Sequence, residues 1–349
     1  MLESFPLDFF SMHVFNDPSS GLLGVIVIDK NSIYPAIGGT RLSEYHSIND
    51  AIADAIRLAK NMTLKCLLSG VPFSGGKAVF IRPSTIDPNT YFSGYGDIIE
   101  GFHGKFITGC DVGVSQDDIM IVRNKTAYVT GLSKNKDIEY LSYLTALGIM
   151  EAMKVGLASM QLTVEDAKIS IQGVGKVGFW LAKLLKKHGA LLTICDLNVE
   201  RAKKIGEDLG CNVVDSDEIY NLKADIFSPC GLGGVLNKES VSVLNCKVIC
   251  GAANNQIHEK TILKELDKKN VLFIPDWICN VGGTIYAAHS YLGDDVEFIK
   301  NKIFTLVTSS VQDFIKLKQL KSGSNSNALE GYREMIYSRF NFQGAYING

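Results

Sequence analysis

The stretch AKISIQGVGKVGFWLAKLLKKHGALLTICD, residues 167–196, decides the fold. Residues 167–173 read as a buried strand, 175–188 carry apolar residues at helical spacing, and 191–196 read as a second strand. Between the first strand and the helix lies Gln172-Gly173-Val174-Gly175-Lys176-Val177-Gly178, a G-x-G-x-x-G turn. That pattern says little by itself; its place in a strand–turn–helix–strand unit gives it meaning. Gly173 allows the tight turn, Gly175 lets backbone approach a pyrophosphate, and Gly178 permits close helix–strand packing. Lys176 and Val177 open the helix, whose free amides and partial positive charge suit phosphate. Asp196, 23 residues after Gly173, ends the second strand. An acid there accepts ribose hydroxyls and repels a 2′-phosphate, so NAD is expected rather than NADP. A helix N-cap is the plainer role for Asp196, and Lys176, Arg201, Lys203 and Lys204 leave some room for a phosphate.

Downstream, 198–209 reads as a helix, and short buried strands follow near 224, 247 and 271. Such alternation implies a doubly wound parallel sheet. Upstream, strands are expected at 22–29, 77–81 and 106–114, and helices at 48–68, 88–102 and 139–157, the first with a capping-box-like start at Ser47 and Asp50. The polar, glycine-led GLSKNKD, 131–137, reads as a linker. The expectation is a two-domain α/β protein: 1–133 a substrate-binding, catalytic and oligomerisation domain, 134–319 a Rossmann-type dinucleotide domain. Residues 321–327 read as a loop and 328–340 as a final helix, with 320–349 packing back on the first domain.

Composition narrows the function classes. With 46% hydrophobic and 21% charged residues the chain can bury a real core, and 33 glycines against 8 prolines suit an α/β protein with many tight turns. A formal net charge of −2 gives no reason to expect nucleic acid or an anionic membrane as partner. The eight cysteines are scattered, without C-x-x-C, and read as reduced thiols of a cytoplasmic protein; no metal is expected. MLESFPLDFF lacks the early positive charge of a secretory signal, and no apolar run approaches about 20 residues, so no membrane span is expected.

The first domain carries candidate chemistry. Lys65, at the end of a helix, and Lys77, at the start of a strand after Ser74-Gly75-Gly76, stand in apolar, glycine-rich surroundings. Mutual repulsion and desolvation would lower a lysine pKa toward that of a general base. Asp111, in a strand-end turn, could hold an ammonium or relay protons, although a lone turn aspartate is more often a backbone cap.

These residues belong to a longer pattern: GGTR (38–41), RLAKNMTLK (57–65), SGGKAVF (74–80), TGCDVG (108–113), TAYVTGL (126–132), QGVGKVG (172–178), DIFSPCGLGG (225–234), GAANNQ (251–256) and PDWICNVGGTI (275–285). In this order they resemble the glutamate/leucine/phenylalanine/valine dehydrogenase family, and its short leucine- and phenylalanine-type members most, from about 22 to 292. The resemblance implies that Lys65 binds the substrate carboxylate and that a Gly38-Gly39 turn lies against the substrate with Met62 nearby. Lys77 would be the base that activates water, and Asp111 would share protons with the substrate nitrogen. Thr145 would lie near the nicotinamide ring, Ala252 would bind the cofactor, and Asn254, Asn255 and Asn280 would belong to the loops that hold the nicotinamide side of the cofactor and the substrate carboxylate; the plainer roles are a turn for the Asn254–Asn255 pair and a helix cap for Asn280. Ile37, Gly109, Thr284 and Ala287 would shape the side-chain pocket. Ser74, Cys110, Tyr143 and Ser290 depart from the family pattern without removing a reacting group.

The reading is an NAD-dependent L-amino acid dehydrogenase, a homo-oligomer by family habit, with its substrate cleft between two domains. It would convert a hydrophobic amino acid reversibly to its 2-oxo acid and ammonia. The small Gly109 and Ala287 favour an aromatic substrate, phenylalanine or tryptophan, over a branched aliphatic one. An imine-reducing biosynthetic enzyme and a non-catalytic NAD-binding homologue are the alternatives. The intact Lys65, Lys77 and Asp111 argue against the second.

Overall fold

The computed structural model describes residues 10–29, 34–132 and 139–346. The linker expected at 131–137, and with it the boundary at 133/134, lies from 133 onward outside the described residues. The chain forms two compact units, Met1–Ile138 with Thr284–Val296 and Glu139–Gly283 with Glu297–Gly349.

Unit 1 contains β1 (Phe10–Asp17), β2 (Leu22–Asp29), β3 (Ala36–Ser43), α1 (Ile48–Ser69), β4 (Ser74–Ile81), α2 (Pro88–Gly101), β5 (Phe106–Cys110) and α3 (Gln116–Arg123). Its sheet runs β1-β2-β4-β3-β5. Strands β3, β4 and β5 are mutually parallel, while β2 is antiparallel to both β1 and β4. Helix α1 starts where the Ser47 side chain accepts from the Asp50 amide and stops at Gly70, in the left-handed conformation. Its Ala51, Ala55, Leu58 and Ala59 cover Val25, Val27 and Val79 on one face of the sheet. On the other face Ala78, Phe80 and Phe106 pack with Tyr95, Ile99 and Ile119 of α2 and α3.

Unit 2 begins with α4 (Tyr140–Ala158) and continues through β6 (Lys168–Gln172), α5 (Lys176–Lys187), β7 (Leu191–Cys195), α6 (Val199–Leu209) and β8 (Asn212–Val213). Then follow β9 (Ile226–Pro229), α7 (Lys238–Val243), β10 (Val248–Ile249), α8 (Thr261–Lys268), β11 (Leu272–Phe273) and α9 (Asp276–Cys279). Helices α10 (Gly282–Leu292), α11 (Val296–Leu320) and α12 (Asn325–Tyr346) complete the chain, with α10 from Thr284 onward belonging to unit 1. The sheet order β11-β10-β9-β6-β7-β8, with every pair parallel, is the Rossmann arrangement. Its topological switch point lies between β6 and β9.

One expectation needs correction. Residues 320–349 do not join the first unit: α12 packs on α8, and Tyr332 stacks on Trp277 at 5.8 Å between ring centroids. Asn325 locks this end, its Nδ2 donating to Asp267 Oδ1 at 2.7 Å and to the Val271 carbonyl at 2.9 Å. These bonds also start the last helix at 325 rather than 328. Helix α4 is long and apolar enough, by length and composition alone, to cross a membrane. Its Leu144, Ile149, Met150, Met153 and Leu157 are buried within unit 2, as in a core helix. All eight cysteines are free.

Candidate active site

In unit 1 the pleat decides which side chains meet. Gly75 faces α1, since a Cβ there would stand 2.2 Å from the Thr63 amide nitrogen and 2.4 Å from the Ala59 carbonyl oxygen. Two residues on, Lys77 shares that face. It lies mid-strand, because β4 already begins at Ser74. Ile37 pairs with Gly75 and Arg41 with Val79, which sets Gly39 of β3 beside Lys77. The absent side chain at Gly39 also admits Asp111: a Cβ would lie 3.0 Å from the Asp111 Cβ. The Gly38-Gly39 pair is therefore strand, not the expected turn. Its glycines serve close approach, a Cβ on Gly38 meeting the Gly76 carbonyl oxygen at 1.9 Å.

The expected lysine–aspartate pair forms. Lys77 Nζ lies 2.7 Å from Asp111 Oδ2, and Lys77 is only 5% exposed. Burial pushes the Lys77 ammonium down, Asp111 pulls it back up, Arg41 pushes it down again, and the net result lies below an ordinary lysine. Burial alone would raise the Asp111 carboxyl, but Lys77 and then Arg41 outweigh it and hold it well below the usual carboxylate range. Lys65, 7% exposed, sits on α1 one turn before the helix ends. Neither lysine is the solvated surface charge that lysines usually are.

Of the expected pocket residues, Ile37 is fully buried, and Met62 and Ala287 pack against the same cluster with Phe73, Ile107 and Ala288. Thr284 Oγ1 lies 3.9 Å from Met62 Sδ. Gly109 has a separate reason to be small, because a Cβ there would lie 2.9 Å from the Thr130 carbonyl oxygen. Its size therefore answers to a backbone contact as well as to any pocket. Thr130 in turn donates its hydroxyl to the Ala287 carbonyl.

Arg41 and Asp54 received no role from the sequence, although Arg41 lies within the quoted GGTR. Arg41 Nε donates to Asp111 Oδ2 at 3.0 Å, and its Nη1 donates to Asp54 Oδ2 at 3.0 Å. An arginine in mid-strand followed by an acid on the amphipathic helix was the available signal.

Unit 2 gathers the second set of residues. Gly173 has φ of 93°, and a Cβ there would meet the Gly231 nitrogen at 2.7 Å, so the turn after β6 and the loop after β9 touch at the switch point. A Cβ on Gly178 would lie 2.1 Å from the Gly173 carbonyl oxygen. Gly175 caps α5 without any side-chain bond and has no neighbouring atom within 4 Å of its Cβ position. The amides that open α5, around Lys176 and Val177, thus begin beside open space. Lys176 Nζ pairs with Glu139 at 2.9 Å.

Asp196 braces this turn. Its Oδ2 accepts from the Val174 amide at 2.8 Å, while its Oδ1 accepts from the Asn198 amide at 2.8 Å and from Arg201 Nη2 at 2.6 Å. The N-cap of α6 is Asn198, so the plainer role for Asp196 does not apply. A cavity of about 370 Å³ lies beside Asp196, lined by Val199, Ala202, Val213, Asp215 and Glu218 among others.

Further along, Asn280 closes α9 and donates its Nδ2 to the Ala252 carbonyl at 3.0 Å and to Asn254 Oδ1 at 3.1 Å. Its Oδ1 is buried with no hydrogen-bond partner among the described residues. Asn255, at φ of 54°, supplies the turn, and its amide donates to Asp276 at 2.9 Å. Thr145 Oγ1 donates to the Leu141 carbonyl at 2.6 Å, and Gly283 leaves it room, since a Cβ there would lie 2.7 Å from that hydroxyl. The open phosphate cradle at Gly175 and the orphaned acceptor of Asn280 fit a bound dinucleotide.

Comparison with known proteins matches residues 9–128 to the family model described as Glu/Leu/Phe/Val dehydrogenase, dimerisation domain. Residues 193–316 match that described as glutamate/leucine/phenylalanine/valine dehydrogenase. The chain is 37% identical over 300 residues to leucine dehydrogenase of Thermoactinomyces intermedius, covering 85% of this chain and 82% of that protein. It is 34% identical over 311 residues to phenylalanine dehydrogenase of Caldalkalibacillus thermarum, covering 86% and 83%. The crystal structure of L-tryptophan dehydrogenase from Nostoc punctiforme superposes with a TM-score of 0.76 at 29% identity, covering 94% of this chain and 96% of that one.

Proposed function

The chain belongs to the glutamate/leucine/phenylalanine/valine dehydrogenase family and is an amino acid dehydrogenase; from that premise we propose that it oxidatively deaminates a hydrophobic L-amino acid with NAD as its cofactor. The buried Lys77–Asp111 pair carries this reading. A desolvated lysine held at 2.7 Å from a carboxylate is what a general base needs.

Unit 1 is assigned the substrate and unit 2 the dinucleotide. Gly173, Gly175 and Gly178 with the amides opening α5 would hold the pyrophosphate, Asp196 the adenosine ribose, and Thr145, Ala252, Asn254, Asn255 and Asn280 the nicotinamide side. Bound there, NAD would supply the hydride acceptor for the substrate Cα, whose oxidation gives an imine. Lys65 pairs with the substrate carboxylate and orients it. Neutral Lys77 takes a proton from water as the water oxygen bonds to the imine carbon. Asp111 holds the resulting ammonium, and the proton of Lys77 passes by way of that carboxylate to the carbinolamine nitrogen; the carbinolamine hydroxyl then gives its proton to the neutral Lys77 amine as the C–N bond breaks, leaving 2-oxo acid and ammonia. One amino acid, one NAD⁺ and one water give one 2-oxo acid, one ammonium, one NADH and one proton.

For the side chain, an aromatic substrate is the first reading. Ala287 and Thr284 are small beside Met62 and Ile37, and a ring fills the space that leucine would leave without dispersion contacts. A branched aliphatic substrate is the second, favoured by Gly109, whose smallness answers to Thr130 whatever the substrate. Further proposals are a homo-oligomeric state and, from eight free thiols, a reducing cytoplasmic compartment. The test is NADH formation across the L-amino acids, with kcat/KM compared for tryptophan, phenylalanine and leucine. No turnover with any of them sinks the enzyme reading, and a clear leucine optimum sinks the aromatic one. Ala287→Val should move an aromatic preference toward leucine by roughly 10-fold, the worth of about 1–3 kcal/mol per methylene-sized change.

A further inference from the structure

We propose that Arg41 is a positioning residue for the reaction: anchored by Asp54, it fixes the Asp111 carboxylate against the Lys77 amine. The proposal rests on the assignment of Lys77 and Asp111 as the proton-transfer pair and adds the group that orients them. The geometry is a relay of shared oxygens. Asp111 Oδ2 lies 2.7 Å from Lys77 Nζ and accepts from Arg41 Nε at 3.0 Å, so one oxygen serves both cations. The same guanidinium turns its Nη1 to Asp54 Oδ2 at 3.0 Å. Asp54 is itself pinned, its Oδ2 accepting from the Tyr45 hydroxyl at 2.7 Å and its Oδ1 from Arg57 Nη2 at 2.6 Å. The side chains of Arg41 and Asp54 are 16% and 9% exposed, so this is not a solvated surface pair.

Only a planar fork spans the two carboxylates in this way, since a lysine ammonium at position 41 could serve one but not both. The charged and titratable groups bonded to the pair or to its anchor come from several elements. They are Arg41 from β3, Lys77 from β4, Asp111 after β5, Asp54 and Arg57 from α1, and Tyr45 before α1. Two consequences follow from the charge of Arg41. After Lys77 it helps keep Asp111 ionised, and as a like charge it favours the neutral amine of Lys77. Without it, Lys77 holds its proton to higher pH, and the acid limb of the kcat/KM profile moves upward.

The experiment compares wild type, Arg41→Met, Arg41→Lys, Asp54→Asn and Lys77→Ala for kcat, KM, the pH profile of kcat/KM and Tm. Arg41→Met should lose roughly 10- to 100-fold in kcat at neutral pH, less than the 10²–10⁴ of deleting the base. Its KM for the amino acid should change by less than about 3-fold, since ground-state binding is untouched. Its acid limb should move to higher pH. Arg41→Lys should return the limb toward wild type while kcat stays reduced, which separates charge from orientation. A purely structural arginine would lower Tm and leave the limb in place, and that result overturns the proposal. If Arg41→Met does not fold, wild-type kcat in both Arg41→Lys and Asp54→Asn overturns it instead. Wild-type turnover in Lys77→Ala removes the underlying assignment, a failure distinct from an unshifted limb in Arg41→Met.

Discussion

Lys77 and Asp111 show how a single residue can be read before its surroundings are known. A lysine amid Ser-Gly-Gly and Ala-Val-Phe has few means of reaching water, and the structure leaves it 5% exposed. Its pH behaviour follows from burial. An amine whose pKa is lowered loses its proton at lower pH than an exposed lysine, so kcat/KM should rise with pH on an acid limb below the ordinary lysine range. Lys77→Ala should reduce kcat by roughly 10²- to 10⁴-fold and leave NAD affinity within about 2-fold, measured by quenching of protein fluorescence. Unchanged turnover would show that the base lies elsewhere. Arg41 was not legible in the same way, because its meaning depends on partners 13 and 70 residues away. Gly109 carries a second reason for its size for a related cause: a short residue can answer to a neighbouring carbonyl, here that of Thr130, which nothing in its own stretch announces.

At the scale of elements, legibility tracks local signal. Strand β2 runs over Leu22–Asp29 as its β-branched run predicts, and α1 over Ile48–Ser69 as its periodicity predicts. Strand β3, AIGGTRLS, was visible only as a motif, since two glycines weaken any strand signal and pairing between β4 and β5 makes the strand. The contact of β4 with α1 rests on Gly75. Gly75→Ala would drive a methyl into the Thr63 amide and the Ala59 carbonyl, displacing the strand that carries Lys77. It should cost about 1–3 kcal/mol, seen as a lower Tm, together with lost activity. Wild-type Tm and kcat would refute the close packing. In unit 2, Asp196 ties the β6 turn to the β7 end through Val174. Asp196→Ala should therefore weaken NAD binding and narrow the discrimination against NADP by roughly 10-fold, about 1.4 kcal/mol. A preference of the unmutated protein for NADP would contradict the role of this acid.

For the molecule as a whole the decisive question is whether it exists as one copy. Strand β1, FSMHVFND, was not anticipated, because its His13, Asn16 and Asp17 obscure the alternation. It is an edge of the unit 1 sheet, and among the described residues no other strand pairs with its outer side. Met12 and Val14 project on the face that α1 covers farther along, and with Leu23 of β2 they remain 42%, 52% and 37% exposed. An apolar edge strand left open invites further strand pairing, and soluble proteins usually blunt or cover it. A second copy would cover it most simply: an antiparallel pairing of β1 with its own counterpart would be isologous, extend the sheet and bring Met12 and Val14 of the two copies together. The matching of 9–128 to a dimerisation-domain model supports this use of unit 1. Light scattering after size exclusion should thus give a mass that is a multiple of 38.1 kDa. Val14→Lys combined with Met12→Lys places two charges on each copy at that edge and should shift the distribution toward smaller species while the far-ultraviolet circular dichroism of the protein stays the same. A wild-type protein that elutes as a monomer at micromolar concentration would end the argument. An oligomer indifferent to both substitutions would show that the copies meet elsewhere.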